Sequence, residues 1–218
     1  MTIAANDIRA ALNFRHACKH FDATRIISDE DIALILEAAH TSPTSYGFEQ
    51  WNIIVAQDPA LRAAIKKAGA LANGARFDAS HLLIFTAKTS AGVTPHINHM
   101  LKDIKQLTLP TRTAFKAYWK QWAKKSFQLF KHDDSLHQWA ARQAYIALGF
   151  AMLAAAERGI DSCAMEGFGI DELTQVLADY RLIDPATDRP VVMLALGYRS
   201  GTQPERSRRP MDEAIRWY

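Results

Sequence analysis

The chain has 218 residues, 49% of them hydrophobic and 22% charged, with a formal net charge of +3. That length holds one domain with a substantial core, and the composition excludes a disordered or fibrous chain. The net charge is too small to predict a nucleic-acid partner.

In chain order, the first feature is a basic octapeptide, residues 14–21, reading Phe-Arg-His-Ala-Cys-Lys-His-Phe. It reads as a loop rather than a helix face. Ser28-Asp-Glu-Asp31 then has the form of a capping box, with acids in a first helical turn. The apolar residues after it suit a helix that stops before Ser42-Pro43, because a residue preceding proline is pushed out of helical space. Residues 51–56 read as a short buried strand, and Asp58-Pro59 as a helix start with Asp as cap and Pro at the first position.

Residues 81–87 (His-Leu-Leu-Ile-Phe-Thr-Ala) and 190–198 (Pro-Val-Val-Met-Leu-Ala-Leu-Gly-Tyr) are continuous apolar runs, expected as buried strands, with a shorter strand at 162–165. Between them lies a long helical region. Its first part, 97–131, is polar, aromatic and interrupted by Pro110; its second, 135–158, ends at Gly159, a sensible C-cap. Residues 140–156 carry Arg142, Gln143 and otherwise mainly apolar side chains, so this helix has no wide polar stripe and needs cover on nearly all sides. The cover can come from within the chain or from a second subunit. Near the end, Arg206-Ser-Arg-Arg209 forms a second basic cluster. Two cationic clusters far apart in sequence can converge on a phosphate, whose oxygens match the guanidinium fork, or can be separate solvated patches. Strands separated by helices, with few hairpin signals, give a layered α+β fold of one domain, 1–218.

Cys18 and Cys163 are the only cysteines and have no zinc-ligand spacing; a disulfide between them stays open. His96, His99, His132 and His137 are scattered without an i, i+4 pair plus carboxylate, so no metal site is expected. The N-terminus lacks a signal-peptide pattern, and the longest uncharged apolar run, 144–156, falls short of the roughly 20 residues that span a bilayer. A soluble cytoplasmic protein with no membrane partner is expected.

Four segments together resemble the flavin-dependent nitroreductase family: Arg15-His-Ala-Cys-Lys19 with Phe21-Asp22; Ser42-Pro-Thr-Ser45 leading through Gly47-Phe-Glu-Gln50 into Trp51; Gly159-Ile-Asp-Ser-Cys-Ala-Met-Glu-Gly-Phe168; and Arg206-Ser-Arg208. The resemblance implies a central mixed, mostly antiparallel sheet flanked by helices, in an intertwined homodimer with two FMN molecules at the subunit interface. It places Arg15, Arg206 and Arg208 on the phosphate, and His16 and Ala17 along the ribityl-phosphate. Lys19 falls by the pyrimidine end. Glu166 and Gly167 present backbone groups at the N5 and O4 edge. Pro43, Thr44, Ser45 and Gly47 reach in from the partner, and Asn73 and Arg76 add pyrimidine contacts. Ala17, Gln50 and Gly47 depart from the family's frequent serine, proline and asparagine.

The implied activity is ping-pong. NAD(P)H reduces the flavin, and an electron-poor acceptor such as a nitroaromatic or quinone reoxidises it; no side chain is catalytic, and Glu166, Gly167 and Lys19 tune the flavin. Reduction of activated alkenes on the same fold, or a non-catalytic FMN carrier or sensor, are the alternatives. Phe115, Tyr118, Trp119, Trp122 and Phe127 either pack the helical region or line a channel to the flavin.

Overall fold

Two strands form the centre of the fold because their side chains are apolar on both faces. In the computed structural model, which describes residues 5–68 and 71–218, these are β2 (His81–Lys88) and β4 (Asp188–Gly197). With β1 (Trp51–Val55) and β3 (Asp161–Met165) they make a four-stranded sheet in the order β1-β2-β4-β3, antiparallel throughout. Among the described residues the mixed character expected of the sheet comes down to one isolated parallel bridge, Ala17 to Ser162. Between Phe85 and Thr86 the register against β4 slips, so that Phe85 pairs with Val192 and Thr86 with Pro190. Such a bulge tolerates a proline, which has no N–H for the ladder, in a central strand.

Strand alternation divides the core. Leu82, Ile84, Met193 and Ala195 point to one side, where α3 (Pro59–Lys67) and α7 (Ile170–Asp179) supply Leu61, Ile65, Leu173 and Leu177. Leu83, Phe85, Leu194 and Leu196 point to the other, against α2 (Asp29–His40) and α6 (Ser135–Glu157). A third cluster joins α4 (Ser90–His99), α5 (Leu109–Lys125) and the start of α6 around Phe48, Trp119 and Trp139. The N-terminal helix α1 (Ala5–Phe14) lies along α6. Beyond β4 the chain crosses the surface to the short α8 (Met211–Ala214).

Local signals explain several boundaries. Ser28 Oγ accepts from Asp31 N at 3.1 Å, and Asp58 Oδ1 accepts from Leu61 N at 2.7 Å with Pro59 opening α3. Gly159 takes φ +68° just past α6; its N–H bonds Ala156 O at 3.1 Å, and Ile160 N bonds Ala155 O at 2.8 Å. That paired closure is the Schellman motif, which needs a left-handed residue.

The region 97–131 is not one interrupted helix. α4 begins earlier, at Ser90, capped by Thr89 and carrying Pro95 inside; a π turn, Met100–Ile104, follows. Pro110 starts α5 rather than breaking it, because the first turn of a helix needs no N–H donor there. The cover expected for α6 is also incomplete. Its sheet-facing side is buried, yet Tyr145 (39% exposed), Ile146 (38%), Phe150 (44%) and Leu153 (36%) form an open apolar face beside Ala38, over a cavity of about 490 Å³.

Candidate functional site

The basic octapeptide is laid against the free edge of β3. Ala17 bridges Ser162, and Cys18 N donates to Ser162 O at 3.0 Å. Phe21 bridges Arg199, Asp22 N donates to Tyr198 O at 2.8 Å, and Ser200 N to His20 O at 3.1 Å. Where this segment meets the end of β4, Asp161, 3% exposed, takes an ion pair from Arg199 at 2.7 Å and accepts from Arg199 N at 2.9 Å. Arg199 also lies over the Phe14 ring, 4.5 Å from its centroid.

This docking carries the chain after β4 back to the octapeptide. Arg206 Nη2 donates to the carbonyls of Asn13 (2.9 Å) and Arg15 (2.5 Å) across about 190 residues of sequence, the latter pair being 191 apart. The two basic clusters therefore converge. Burial lowers the Arg15 pKa, and the positive charges of Arg206 and then Arg208 lower it further. His16 is lowered likewise, first by burial and then by Arg206, Arg199, Arg15 and Lys19. Among the described residues no carboxylate forms an ion pair with Arg15, Lys19, Arg206 or Arg208. Mutually repelling cations without a counter-charge suit a bound anion, and guanidinium forks suit a phosphate dianion.

From this basic end the site runs along β3. Lys19 Nζ approaches Cys163 Sγ at 3.9 Å. Past the strand, Glu166 and Gly167 form an exposed turn held from two sides. Asn73 Nδ2 donates to Gly167 O at 2.8 Å, and Tyr145 Oη donates to Glu166 Oε1 at 2.5 Å. Burial raises the Tyr145 pKa, and so do its hydrogen bond to Glu166 and that residue's charge, so the phenol keeps its proton. Arg76 lies half-buried on the 3₁₀ turn Leu71–Asp78, which also carries Asn73.

The turn with Pro43, Thr44, Ser45 and Gly47 stands apart, and no hydrogen bond or ion pair among the described residues joins it to the β3 strip. Ser45 N donates to Gln143 Oε1 at 2.9 Å, and Glu49 N to Thr44 Oγ1 at 3.0 Å. Tyr46 and Gly47 both take left-handed backbone, φ 60° and 59°. For Tyr46 this is uncommon, and its ring is held against Phe48, Phe115, Tyr118 and Trp122. Within the helical aromatics, Trp119 is buried, Phe115 and Trp122 are half-buried, and Tyr118 and Phe127 are exposed.

Cys18 and Cys163 are both buried free thiols. Burial raises the Cys18 pKa before any other influence, which leaves an inert thiol. Sequence reasoning did not reach Tyr145, Asn13 or the Asp161–Arg199 pair, since each acts on a residue remote in sequence; Gln143, the one amide in an apolar stretch, was the available signal for its bond to the 45–47 turn.

The nitroreductase family model matches residues 12–198 of this layered α+β chain. The chain belongs to the nitroreductase family. A "Putative NAD(P)H nitroreductase" of Staphylococcus aureus is 39% identical over 212 residues, covering 96% of this chain and 95% of the relative. A Bacillus subtilis relative of the same description, YfkO, is 33% identical over 210 residues, 95% of each chain. Among solved structures, a "putative nitroreductase in complex with FMN" from Exiguobacterium sibiricum superposes with a TM-score of 0.77 at 16% identity over the full length of both chains. An enone reductase, CLA-ER, superposes with a TM-score of 0.79 at 19% identity, covering 99% of each chain; at these identities the likeness is one of fold. Family membership makes the chain an oxidoreductase. No helix among the described residues is long and apolar enough to cross a membrane.

Proposed function

We propose that the chain is an FMN-dependent NAD(P)H oxidoreductase, a cytoplasmic homodimer of one domain per chain that passes two electrons to an electron-poor acceptor such as a nitroaromatic or quinone. The observation that carries this reading is the convergence of Arg15, Arg206 and Arg208, from opposite ends of a nitroreductase-family chain, with no ion-pairing carboxylate among the described residues. Bound FMN supplies the hydride-transfer chemistry at its N5 atom, and the protein supplies binding, orientation and electrostatics.

In this reading the three arginines hold the phosphate, and His16 and Ala17 run beside the ribityl chain. Lys19 places a cation where negative charge builds on reduction. The Glu166–Gly167 turn offers its backbone to the N5 edge, and Tyr145 and Asn73 keep that turn in place. The Asn73 amide is committed to the Gly167 carbonyl, so its work is to hold the turn, beside Arg76 at the pyrimidine end. Pro43, Thr44, Ser45 and Gly47, remote from the strip within one chain, serve the site of a second copy, and the open apolar face of α6 is the surface that copy covers.

The test is the visible spectrum of freshly purified protein with its sedimentation. A flavin band bleached anaerobically by NADH or NADPH, on a dimer, is expected. Colourless protein, a flavin that neither nucleotide reduces, or a holo monomer would sink the reading.

A further inference from the structure

The largest unassigned charge in the molecule lies on and around α5. Residues 105–131 contain seven lysines and arginines and no carboxylate, leaving 19 cations against 23 acids in the rest of the chain. Four of these cations, Arg112, Lys116, Lys120 and Lys124, recur every four residues along the helix. This side chain set is not used by the β3 strip.

Two of the four line a cavity. Arg112 and Lys116, with Lys102 from the preceding turn, border a space of about 360 Å³ between α4 and α5. Among the described residues the only carboxylate in its wall is Asp103, already engaged by His99 Nδ1 at 2.9 Å and Lys102 Nζ at 3.8 Å. Among the described residues Lys116 Nζ reaches only the neutral amide of Asn98, at 3.0 Å. Arg112 Nε is buried and has no hydrogen-bond acceptor among the described residues. A desolvated guanidinium N–H without an acceptor is costly, and a phosphate oxygen satisfies it best.

The cavity belongs to the segment that abuts the Tyr46–Gly47 turn. Tyr46 packs on Phe115 and Tyr118 of α5, and a Cβ built on Gly47 would lie 3.0 Å from Lys105 Nζ. We infer that this cavity is a phosphate subsite for the 2′-phosphate of NADPH, so that the protein discriminates NADPH from NADH through Arg112 and Lys116. The inference rests on the oxidoreductase reading for its occupant and on α5 for its geometry. NADH carries a neutral hydroxyl where NADPH carries the 2′-phosphate, so it brings no charged acceptor to Arg112 and Lys116 at that position.

The experiment titrates the protein as purified with 2′,5′-ADP and with 5′-AMP by calorimetry. It repeats both titrations on the Arg112→Gln/Lys116→Gln variant, with far-UV circular dichroism and FMN content confirming that the variant folds. The 2′-phosphate fragment should bind about tenfold or more tightly than 5′-AMP, and the variant should lose that difference. The NADPH-to-NADH ratio of kcat/KM should fall by the same factor. Equal binding of the two fragments by the unaltered protein, or an undiminished preference in the variant, overturns the inference. So does displacement of 2′,5′-ADP by equimolar inorganic phosphate, which would reduce the cavity to a general anion site. Because the fragment titration does not depend on turnover, a protein whose flavin neither nucleotide reduces would fail the functional reading while still reporting on the subsite.

Discussion

The β3 strip and α5 are both strongly cationic, but the charge is held in opposite ways. On the strip, Arg15, Arg206 and Arg208 are crowded together by backbone docking, and burial first, then the charges of Arg206 and Arg208, depress the Arg15 pKa. On α5 the cations are spaced by four along a helix anchored through buried Trp119, which packs against Phe48 and Trp139. Crowding that opposes folding persists only where something else stabilises the arrangement. Spacing along an exposed helix face costs little apart from Arg112, whose Nε is buried without an acceptor among the described residues. The first pattern points to a tightly held ligand, the second to a surface that a mobile ligand visits.

The sharpest way to break this comparison is to remove charge from each region in turn. Arg15→Ala with Arg208→Ala should leave largely apo protein, since two charge-assisted bonds at about 1.5–3 kcal/mol each amount to roughly a hundredfold or more in affinity. Lys120→Ala with Lys124→Ala should leave the FMN content unchanged. Flavin absorbance per chain reads both, and a full complement of FMN in the first variant would refute the phosphate assignment.

The anchors differ as well. Trp119→Ala removes a side chain that is 1% exposed and should cost about 3–5 kcal/mol, lowering Tm by roughly 10 °C, with FMN retained in the folded fraction. If FMN is lost in proportion to Tm, the two regions are not independent. A smaller effect is expected at the far end of the strip. Tyr145→Phe deletes the bond to Glu166 and should cost about 1 kcal/mol in positioning, seen as a several-fold slower flavin reduction and a shifted midpoint potential with FMN content intact. An unchanged potential and rate would show that the turn holds itself.

The smallest effect separates the regions by pH. His137 is buried, donates from Nδ1 to Lys88 O at 3.0 Å and accepts from Arg189 Nε at 3.2 Å. Burial first, and then Arg189, depress its pKa below the ordinary 6.5, as burial does for His96. The unfolded chain therefore binds these protons more readily. The stabilisation is complete above pH 6.5 and declines as pH falls from there through the folded-state values. Tm should drop across that acid window, and His137→Gln should flatten the drop; an identical slope in the variant would assign it elsewhere.

Much of the framework was legible from local signals. The runs at 81–87 and 190–198 are apolar on both faces because both faces are covered, and they became β2 and β4 within a residue or two at each end. The Ser28 and Asp58 caps and the Gly159 closure stood where their chemistry demands. The start of α4 was missed: the helical region was expected from residue 97, whereas α4 opens at Ser90 and runs through Pro95, with Val93 and Ile97 packed in the core. α7 went unread although Asp171, Glu172, Leu173, Val176 and Leu177 carry helical spacing and first-turn acids.

Sequence alone determined which residues are apolar on two faces, which helices are capped, and that two basic segments exist at the two ends of the chain. Tertiary structure decided that those segments meet, that Tyr145 and Asn73 hold the 166–167 turn, and that the 43–47 turn lies apart from the strip with an apolar face of α6 left open. The reason is range. Caps and strand patterns are settled by neighbours a few residues away, whereas bringing Arg206 to the Arg15 carbonyl requires the sheet, the Ala17–Ser162 bridge and the Asp161–Arg199 pair to form together.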